Sequence, residues 1–180
     1  MSRGGRDIFR SIHKLRTMPR SPLWPAQTRQ HQQSLSTAAV LEDTLDWYAQ
    51  DRDGNVWYFG EATKEFKDGS ADTAGSFEAG VNGALPGVIM PGHPHVGDQY
   101  RQEYAKGVAE DTGEVLDLTG SETTPLTGPV KNLLVTKDSD LLDPSAPGEN
   151  KYFARGIGLI LTVQTTGPPE RDQATVVEKF

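Results

Sequence analysis

The chain has 180 residues, enough for one ordinary domain with a tail, and a net charge of −7. It contains no cysteine, which excludes disulfides, thiolate metal sites, lipidation on cysteine and thiol nucleophiles. Its 19 glycines, 12 prolines and modest 35% hydrophobic share predict many turns and few long helices. No apolar run approaches the roughly 18–20 residues that a membrane-spanning helix needs, so we expect no transmembrane segment.

Charge is distributed unevenly along the chain. Residues 1–38 hold seven basic residues and one acid, whereas residues 39–180 carry a net charge of −13. The first segment lacks a sustained apolar period, so we predict a basic, disordered tail at 1–38 and a single β-rich domain at 39–180. The sequence leaves open whether the tail is native to the domain, and an Arg-rich, acid-poor start also fits an organellar transit peptide. Because the acidic body would repel phosphate, no nucleic-acid partner is expected.

An aromatic β-hairpin is predicted over residues 46–61, DWYAQDRDGNVWYFGE. Asp53 and Gly54 supply the turn, since Gly tolerates positive φ and Asp bonds its own backbone. A two-residue loop would pair Gln50 with Trp57. A three-residue loop with a bulge at Gly54 would pair Ala49 with Trp57. Under either register both faces of the hairpin carry aromatics, so one face needs more chain, a partner or a ligand to cover it.

The rest of the body is typical of short strands separated by Gly, Pro, Asn and Asp turn signals. Short helices are expected only near residues 62–66 and 110–118. Strands are expected at 75–80, 88–90, 99–104, 130–136, 151–154, 158–164 and 175–180. The pattern predicts a mainly β fold, an antiparallel curved sheet that is half-barrel or barrel-like, with short helices.

The excess of aromatic and apolar side chains on both strand faces favours a cavity within the curved sheet. Strict alternation would place residues 100, 102 and 104 on one face as a polar-aromatic wall. The candidate ligand-binding residues are Trp47, Trp57, Phe59, Tyr100, Gln102, Tyr104 and Tyr152. The occupant would be a lipid-like small molecule or a protein partner. The alternative interpretation is that these side chains simply form the core.

Metal sites are weakly indicated. His93 and His95 lie two residues apart, and Asp98 could complete a zinc or copper site. A surface loop with solvated histidines explains the same residues. The loop at 51–55 resembles a calcium loop, but its Gly54 is fourth rather than sixth, so a hairpin turn is the better interpretation.

Catalytic motifs are also sparse. No Gly-x-Ser-x-Gly elbow or phosphate loop is present, and the Gly-x-Gly at 156–158 runs into a predicted strand rather than a helix. We therefore assign no catalytic residue and expect no cofactor. A hydrolase using carboxylates such as Glu61, Glu78 and Glu103 is an alternative function, although 25 acids guarantee some pair by abundance alone.

Several segments together resemble an uncharacterised family of bacterial β-rich proteins that are exported or envelope-associated. The resemblance covers residues 42–180 and rests on WYAQDRDGNVWYFGE (47–61), GSFEAGVNGALPGVIMP (75–91), VGDQYRQEY (96–104) and KYFARGIGLIL (151–161). It implies a location at the cell envelope but no activity. Family members carry further strands before Leu41, and their absence here would expose an aromatic sheet edge.

Three functions follow as expectations. The first is a non-catalytic β-domain that binds an apolar or amphipathic ligand, or a protein partner, at the cell envelope. The second is the carboxylate-dependent hydrolase. The third is a structural module that offers an edge strand for β-augmentation.

Overall fold

A computed structural model describes the backbone of residues 9–17, 27–35, 40–167 and 171–179, and the side chains of residues 42–167 and 171–174. These residues form strands and no helix, so none of them belongs to a helix long and apolar enough to cross a membrane. The strands are β1 Phe9–Thr17, β2 Gln27–Leu35, β3 Val40–Gln50, β4 Val56–Lys67, β5 Ser70–Asp72, β6 Phe77–Glu78, β7 Leu85–Met90, β8 Gln99–Arg101, β9 Glu103–Tyr104, β10 Asp111–Thr124, β11 Gly128–Asp140, β12 Glu149–Ala154, β13 Gly158–Gln164 and β14 Arg171–Lys179.

The strands form one sheet in which all described pairs except one are antiparallel. Its order is β8-β10-β11-β12-β13-β14-β1-β2-β3-β4-β7-β9, and β5 and β6 also pair with β4. The parallel pair is β1 with β14. The sheet is not closed into a barrel, because its order ends at β8 and β9. These two end strands are separated in sequence only by Gln102, so one extended segment pairs with β10 at one end and with β7 at the other.

The predicted antiparallel, mainly β fold is confirmed, but the expected short helices are wrong. Residues 62–66 continue β4 and pair with β3 and β5. Residues 111–118 lie in β10, which pairs with β11 along most of its length. Both stretches have an antiparallel partner on at least one side, and this pairing outweighs a weak local preference for helix.

The hairpin register agrees with one of the two alternatives. Ala49 pairs with Trp57 and Gln50 with Val56, around a loop at 51–55. The bulge, however, lies between Trp47 and Tyr48 and not at residue 54. A bulge shifts the alternation of side chains from that point onward, with consequences for the site described below.

The two N-terminal strands extend the sheet beyond β3. β2 pairs with β3 from Gln27↔Ala49 to Leu35↔Val40, and β1 pairs with β2. Their backbones lie within the segment for which the sequence predicted a disordered tail. β3 is therefore not the exposed edge that the resemblance suggested. The division of the chain at residue 39 stays a prediction.

Buried side chains form two apolar clusters, which we call inner and outer. The inner cluster contains Tyr58, Phe77, Ala84, Ile89, Ala105, Ala109 and Phe153. The outer cluster contains Leu133, Ala154, Ile160 and Leu161, with Tyr152 packed against it. Successive residues of β11, Leu133 and Leu134, thus contribute to opposite clusters, as the alternation of a strand requires.

Candidate functional site

The strands of the sheet line a cavity of about 1530 Å³, and we call it the sheet cavity. Side chains of β3, β4, β7, β9, β10, β11, β12, β13 and β14 line it. Loop residues at 91–95 and 155–157 also line it, together with Gly54 of the hairpin loop. Its volume exceeds the usual 300–1,000 Å³ of small-molecule sites.

Strand registers divide the cavity wall into two layers. In the apolar layer Leu134 pairs with Phe153 and Phe153 with Leu159. On the other side Tyr48 pairs with Tyr58, and the two rings stack with centroids 5.0 Å apart. These five side chains belong to one hydrophobic cluster, so this part of the cavity offers an apolar surface.

The next inward-facing positions along the same strands are polar. Thr136 pairs with Lys151 and Lys151 with Thr162, while Asp46 pairs with Glu61. Carboxylates outnumber cationic side chains among the described lining residues. The lining carboxylates are Glu42, Asp46, Glu61, Glu65, Glu103, Asp111, Glu149 and Asp172, and the lining lysines and arginine are Lys67, Lys151 and Arg155. The cavity wall is therefore amphipathic, with an acidic polar layer.

Asp46, Tyr58 and Glu61 form the most closely connected part of the polar layer. The Tyr58 hydroxyl lies 2.6 Å from Asp46 Oδ1 and 3.2 Å from Glu61 Oε2. Burial raises the pKa of Asp46 to about 6 and that of Glu61 to about 8. The negative charge of Glu42 raises both pKa values further, and that of Asp46 also raises the pKa of Glu61. The hydrogen bond from Tyr58 opposes both shifts.

The bulge between residues 47 and 48 brings these groups together. Trp47 pairs with Gly60 and Tyr48 with Tyr58, which leaves Phe59 as the additional residue of β4. Without that additional residue, Tyr58 and Glu61 would point to opposite faces, because they are three positions apart. The bulge turns Glu61 into the cavity, a role that bulges often have beside functional sites.

Lys151 is held by a buried carboxylate behind the cavity wall. Its Nζ lies 2.7 Å from Oδ2 of Asp138, whose side chain is only 4% exposed. Gln102 Nε2 and Thr136 Oγ1 each donate to Asp138 Oδ1 at 3.0 Å. The pKa of Lys151 is raised despite burial, chiefly by Asp138 and Glu149. Lys151 is thus a cation held in place by Asp138, its principal partner within the protein.

Glu103 and Asp111 complete the acidic layer. Burial, together with the charges of Asp111 and Glu61, raises the pKa of Glu103 to about 9. Burial raises the pKa of Asp111 to about 6, although Lys151 lowers it. At neutral pH the cavity therefore holds protonated and ionised carboxyl groups side by side.

We expect this protonation to make stability depend on pH. A carboxyl group whose pKa is raised in the folded state binds more protons there than in the unfolded chain, so stability falls as pH rises from about 4.5 to about 9. Glu103→Gln stays neutral and should exceed the wild type in free energy of unfolding at pH 9 by on the order of 2 kcal/mol. Urea unfolding at pH 5 and pH 9 measures the difference. Exposed Glu78→Gln is the control, and parallel curves for all three proteins would contradict the assignment.

The sequence-predicted ligand residues separate into three places. Gln102, 1% exposed, lines the sheet cavity, and its backbone N–H donates to the Asp111 carbonyl oxygen. Tyr152 packs against the outer cluster. Trp47 and Phe59 are half-buried and do not line the cavity. Their role in ligand binding stays a prediction.

The other three predicted ligand residues lie together on the outer side of the sheet. Trp57, Tyr100 and Tyr104 line a groove of about 310 Å³ with Arg101. Arg101 lies over the Tyr104 ring at 4.7 Å and bonds Glu110 Oε2 at 3.0 Å. The segment changes partner strands at residue 102. The Tyr100 ring and the Gln102 amide nevertheless lie side by side over Gly113, where an added Cβ would be 2.7 Å from each. A shared wall of residues 100, 102 and 104 stays a prediction.

The loop at residues 91–95, which contains His93 and His95, borders the cavity but brings few metal ligands together. His93 and His95 line the cavity, and His95 Nδ1 lies 3.5 Å from Asp98 Oδ2. Within the part of the chain that the structure describes, no three His, Asp or Glu side chains are grouped as a metal ion needs. The metal hypothesis stays a prediction. The Asn55 side chain accepts a bond from the Gly92 N–H at 2.8 Å and so joins this loop to the hairpin.

The hairpin loop itself is held by Asp51. Its carboxylate accepts bonds from the backbone N–H groups of Asp53 and Asn55, and from the side chains of Asn55 and Trp57. These bonds, that from Trp57 first, lower the pKa of Asp51. Protein donors thus occupy the carboxylate, which favours the turn over the calcium-loop interpretation.

Sequence reasoning missed Asp46 and Lys151 and gave Glu61 and Glu103 little weight. Glu78, the third acid of the hydrolase hypothesis, is exposed and lies outside the cavity. One signal was present in the sequence. Polar residues recur at every second position of β3, at 42, 44 and 46, which marks an inner face that is not purely apolar.

Comparisons of the chain with protein-family models, with curated proteins and with solved structures found no match. The resemblance to a bacterial envelope family and the location that it implies therefore stay predictions.

Proposed function

We propose that the protein binds an amphipathic small molecule in the sheet cavity, with its apolar part against the apolar layer and its polar head toward the acidic layer. The observation that carries this proposal is the division of one large cavity into those two layers. Burying an apolar chain yields about 25 cal/mol per Å² of surface removed from water. The polar layer meets the head group with hydrogen-bonding and charged side chains.

The charges of the acidic layer favour a cationic head group. The amine of Lys151 is already paired with Asp138, whereas Glu103 has only other acids and Lys151 among the charges that shift its pKa. A cationic head would relieve the repulsion between carboxylates, and an anionic head would add to it.

We predict that octylammonium chloride binds tighter than sodium octanoate by at least about tenfold, with neutral octyl glucoside between them. All three compounds share the same apolar chain, so the difference isolates the head group. Isothermal titration calorimetry at pH 7, below micelle-forming concentrations, measures the three affinities.

Two variants separate cavity binding from surface adsorption. Leu134→Gln places an amide in the apolar layer and should weaken all three compounds by about tenfold, because part of the chain's burial is lost. Leu116→Gln changes an exposed leucine and should leave them unchanged. Equal affinities in these two variants, or no binding of any compound, would refute the proposed function.

A further inference from the structure

Two acidic side chains face each other directly across β3 and β4. Asp46 and Glu61 are cross-strand partners in the register. Like charges at such positions destabilise a sheet. The arrangement is tolerable when one carboxyl group holds a proton, and the shared contact with the Tyr58 hydroxyl provides a proton to organise the pair.

The geometry fits a pair of carboxyl groups that act on one bond. Two carboxylate oxygens that contact the same hydroxyl at 2.6 Å and 3.2 Å lie at most about 6 Å apart. This limit is below the roughly 6.5–9.5 Å of inverting glycosidases and compatible with the roughly 5–5.5 Å of retaining ones. Both side chains line the sheet cavity. A substrate bound there can touch both groups.

The surroundings separate the protonation states of the pair. Burial raises the pKa of Glu61 to about 8, so this group stays protonated at neutral pH. Asp46 receives the shorter hydrogen bond from Tyr58 and has the lower pKa of the two, about 6. Glu42 and Tyr48 from β3, Glu103 from β9 and Lys151 from β12 also act on this pair. Environments that separate the pKa values of two acids commonly distinguish a general acid from an ionised partner.

We propose that Glu61 and Asp46 hydrolyse a glycosidic bond of an amphipathic glycoside, whose sugar lies in the acidic layer and whose apolar aglycone lies in the apolar layer. This activity goes beyond binding and rests on the proposed function, since the substrate occupies the same cavity. Glu61 and Asp46 are catalytic residues in this proposal, and Tyr58 is a positioning residue.

The reaction has two steps. In the first, Asp46 Oδ2 attacks the anomeric carbon, the bond from that carbon to the leaving oxygen breaks, and the Glu61 proton passes to that oxygen, which releases the aglycone alcohol. In the second, the Glu61 carboxylate takes a proton from water as the water oxygen attacks the anomeric carbon. The ester to Asp46 breaks, and free sugar, ionised Asp46 and protonated Glu61 result.

The test is release of nitrophenol from para-nitrophenyl α- and β-glycosides of glucose, galactose, mannose, xylose and N-acetylglucosamine by the full-length chain. At least one should be hydrolysed with retention of configuration, and the rate should be highest between pH 6 and 8. Asp46→Asn should lower kcat/KM on the nitrophenyl substrate at least about 100-fold. Glu61→Gln should do so on the alkyl glycoside of the same sugar, because an alcohol leaving group needs the proton that nitrophenolate does not. Glu78→Gln, an exposed acid outside the cavity, should retain the wild-type rate.

Tyr58→Phe tests the positioning role. It removes the hydroxyl that lowers the pKa of Asp46, so the acid limb of the pH profile should move to higher pH, which a merely structural residue would not cause. Octyl glucoside affinity of each variant shows that the cavity is intact. Octyl glucoside binding without hydrolysis of any glycoside, or equal nitrophenyl-glycoside rates for wild type and Asp46→Asn, overturns this inference and leaves the binding function standing. Loss of both overturns both.

Discussion

Lys151→Met is expected to lower the free energy of unfolding by about 3–5 kcal/mol, because it leaves a buried carboxylate without its cation. Asp138 is 4% exposed, and Lys151 Nζ lies 2.7 Å from it. Methionine fills a similar volume, so the loss measures the charge more than the packing. Urea unfolding at pH 7 provides the measurement.

Two further proteins make the Lys151 prediction specific. Exposed Lys137→Met, in the neighbouring strand β11, should change stability by less than about 0.5 kcal/mol. Asp138→Asn added to Lys151→Met should recover part of the loss, since a neutral amide still accepts bonds from Gln102 and Thr136. If the double variant were as unstable as Lys151→Met alone, the lost stability would not come from an unpaired charge.

Local patterns were sufficient to predict the strands but not the faces that they present. The aromatic hairpin and its Ala49–Trp57 pair follow from turn chemistry and alternation. The bulge at residues 47–48 does not, because the two-against-one pairing depends on the partner strand. As a result, strict alternation places Glu61 on the wrong face, and the site containing Asp46, Tyr58 and Glu61 could not be assembled from sequence.

The pairing of the segment at 99–104 was hidden from the sequence for a related reason. Regular alternation assumes one neighbour on each side along the whole strand, but this segment pairs with β10 before Gln102 and with β7 after it. Gln102 and Glu103 consequently both line the cavity, while Tyr100 and Tyr104 lie in the outer groove. Such a change of partner is a tertiary event without a local signal.

The same polar network supports both the fold and the proposed chemistry. Gln102 connects the two ends of the sheet order and donates to Asp138, which in turn fixes Lys151 beside the acidic layer. A cavity wall that is already braced by buried hydrogen bonds can keep Asp46 and Glu61 in place at low conformational cost. The interactions of the rest of the sheet then offset the repulsion between the Asp46 and Glu61 carboxyl groups.

Gly60→Ala is expected to lower the free energy of unfolding by about 3–5 kcal/mol, through strain and a steric clash together. Gly60 has φ +130°, and a Cβ there would lie 2.2 Å from the Phe77 carbonyl oxygen of β6. Gly80→Ala is the matched control, since it shares positive φ, +89°, but its Cβ would have no neighbour within 4 Å, so it should lose only about 1 kcal/mol. Urea unfolding of both variants provides the comparison. Because Gly60 directly follows Phe59, the additional residue of the bulge that directs Glu61 inward, Gly60→Ala should also weaken octyl glucoside binding, while Gly80→Ala should not. Equal losses of stability in the two variants would show that the close contact between Gly60 and the Phe77 carbonyl oxygen of β6 does not add to the cost.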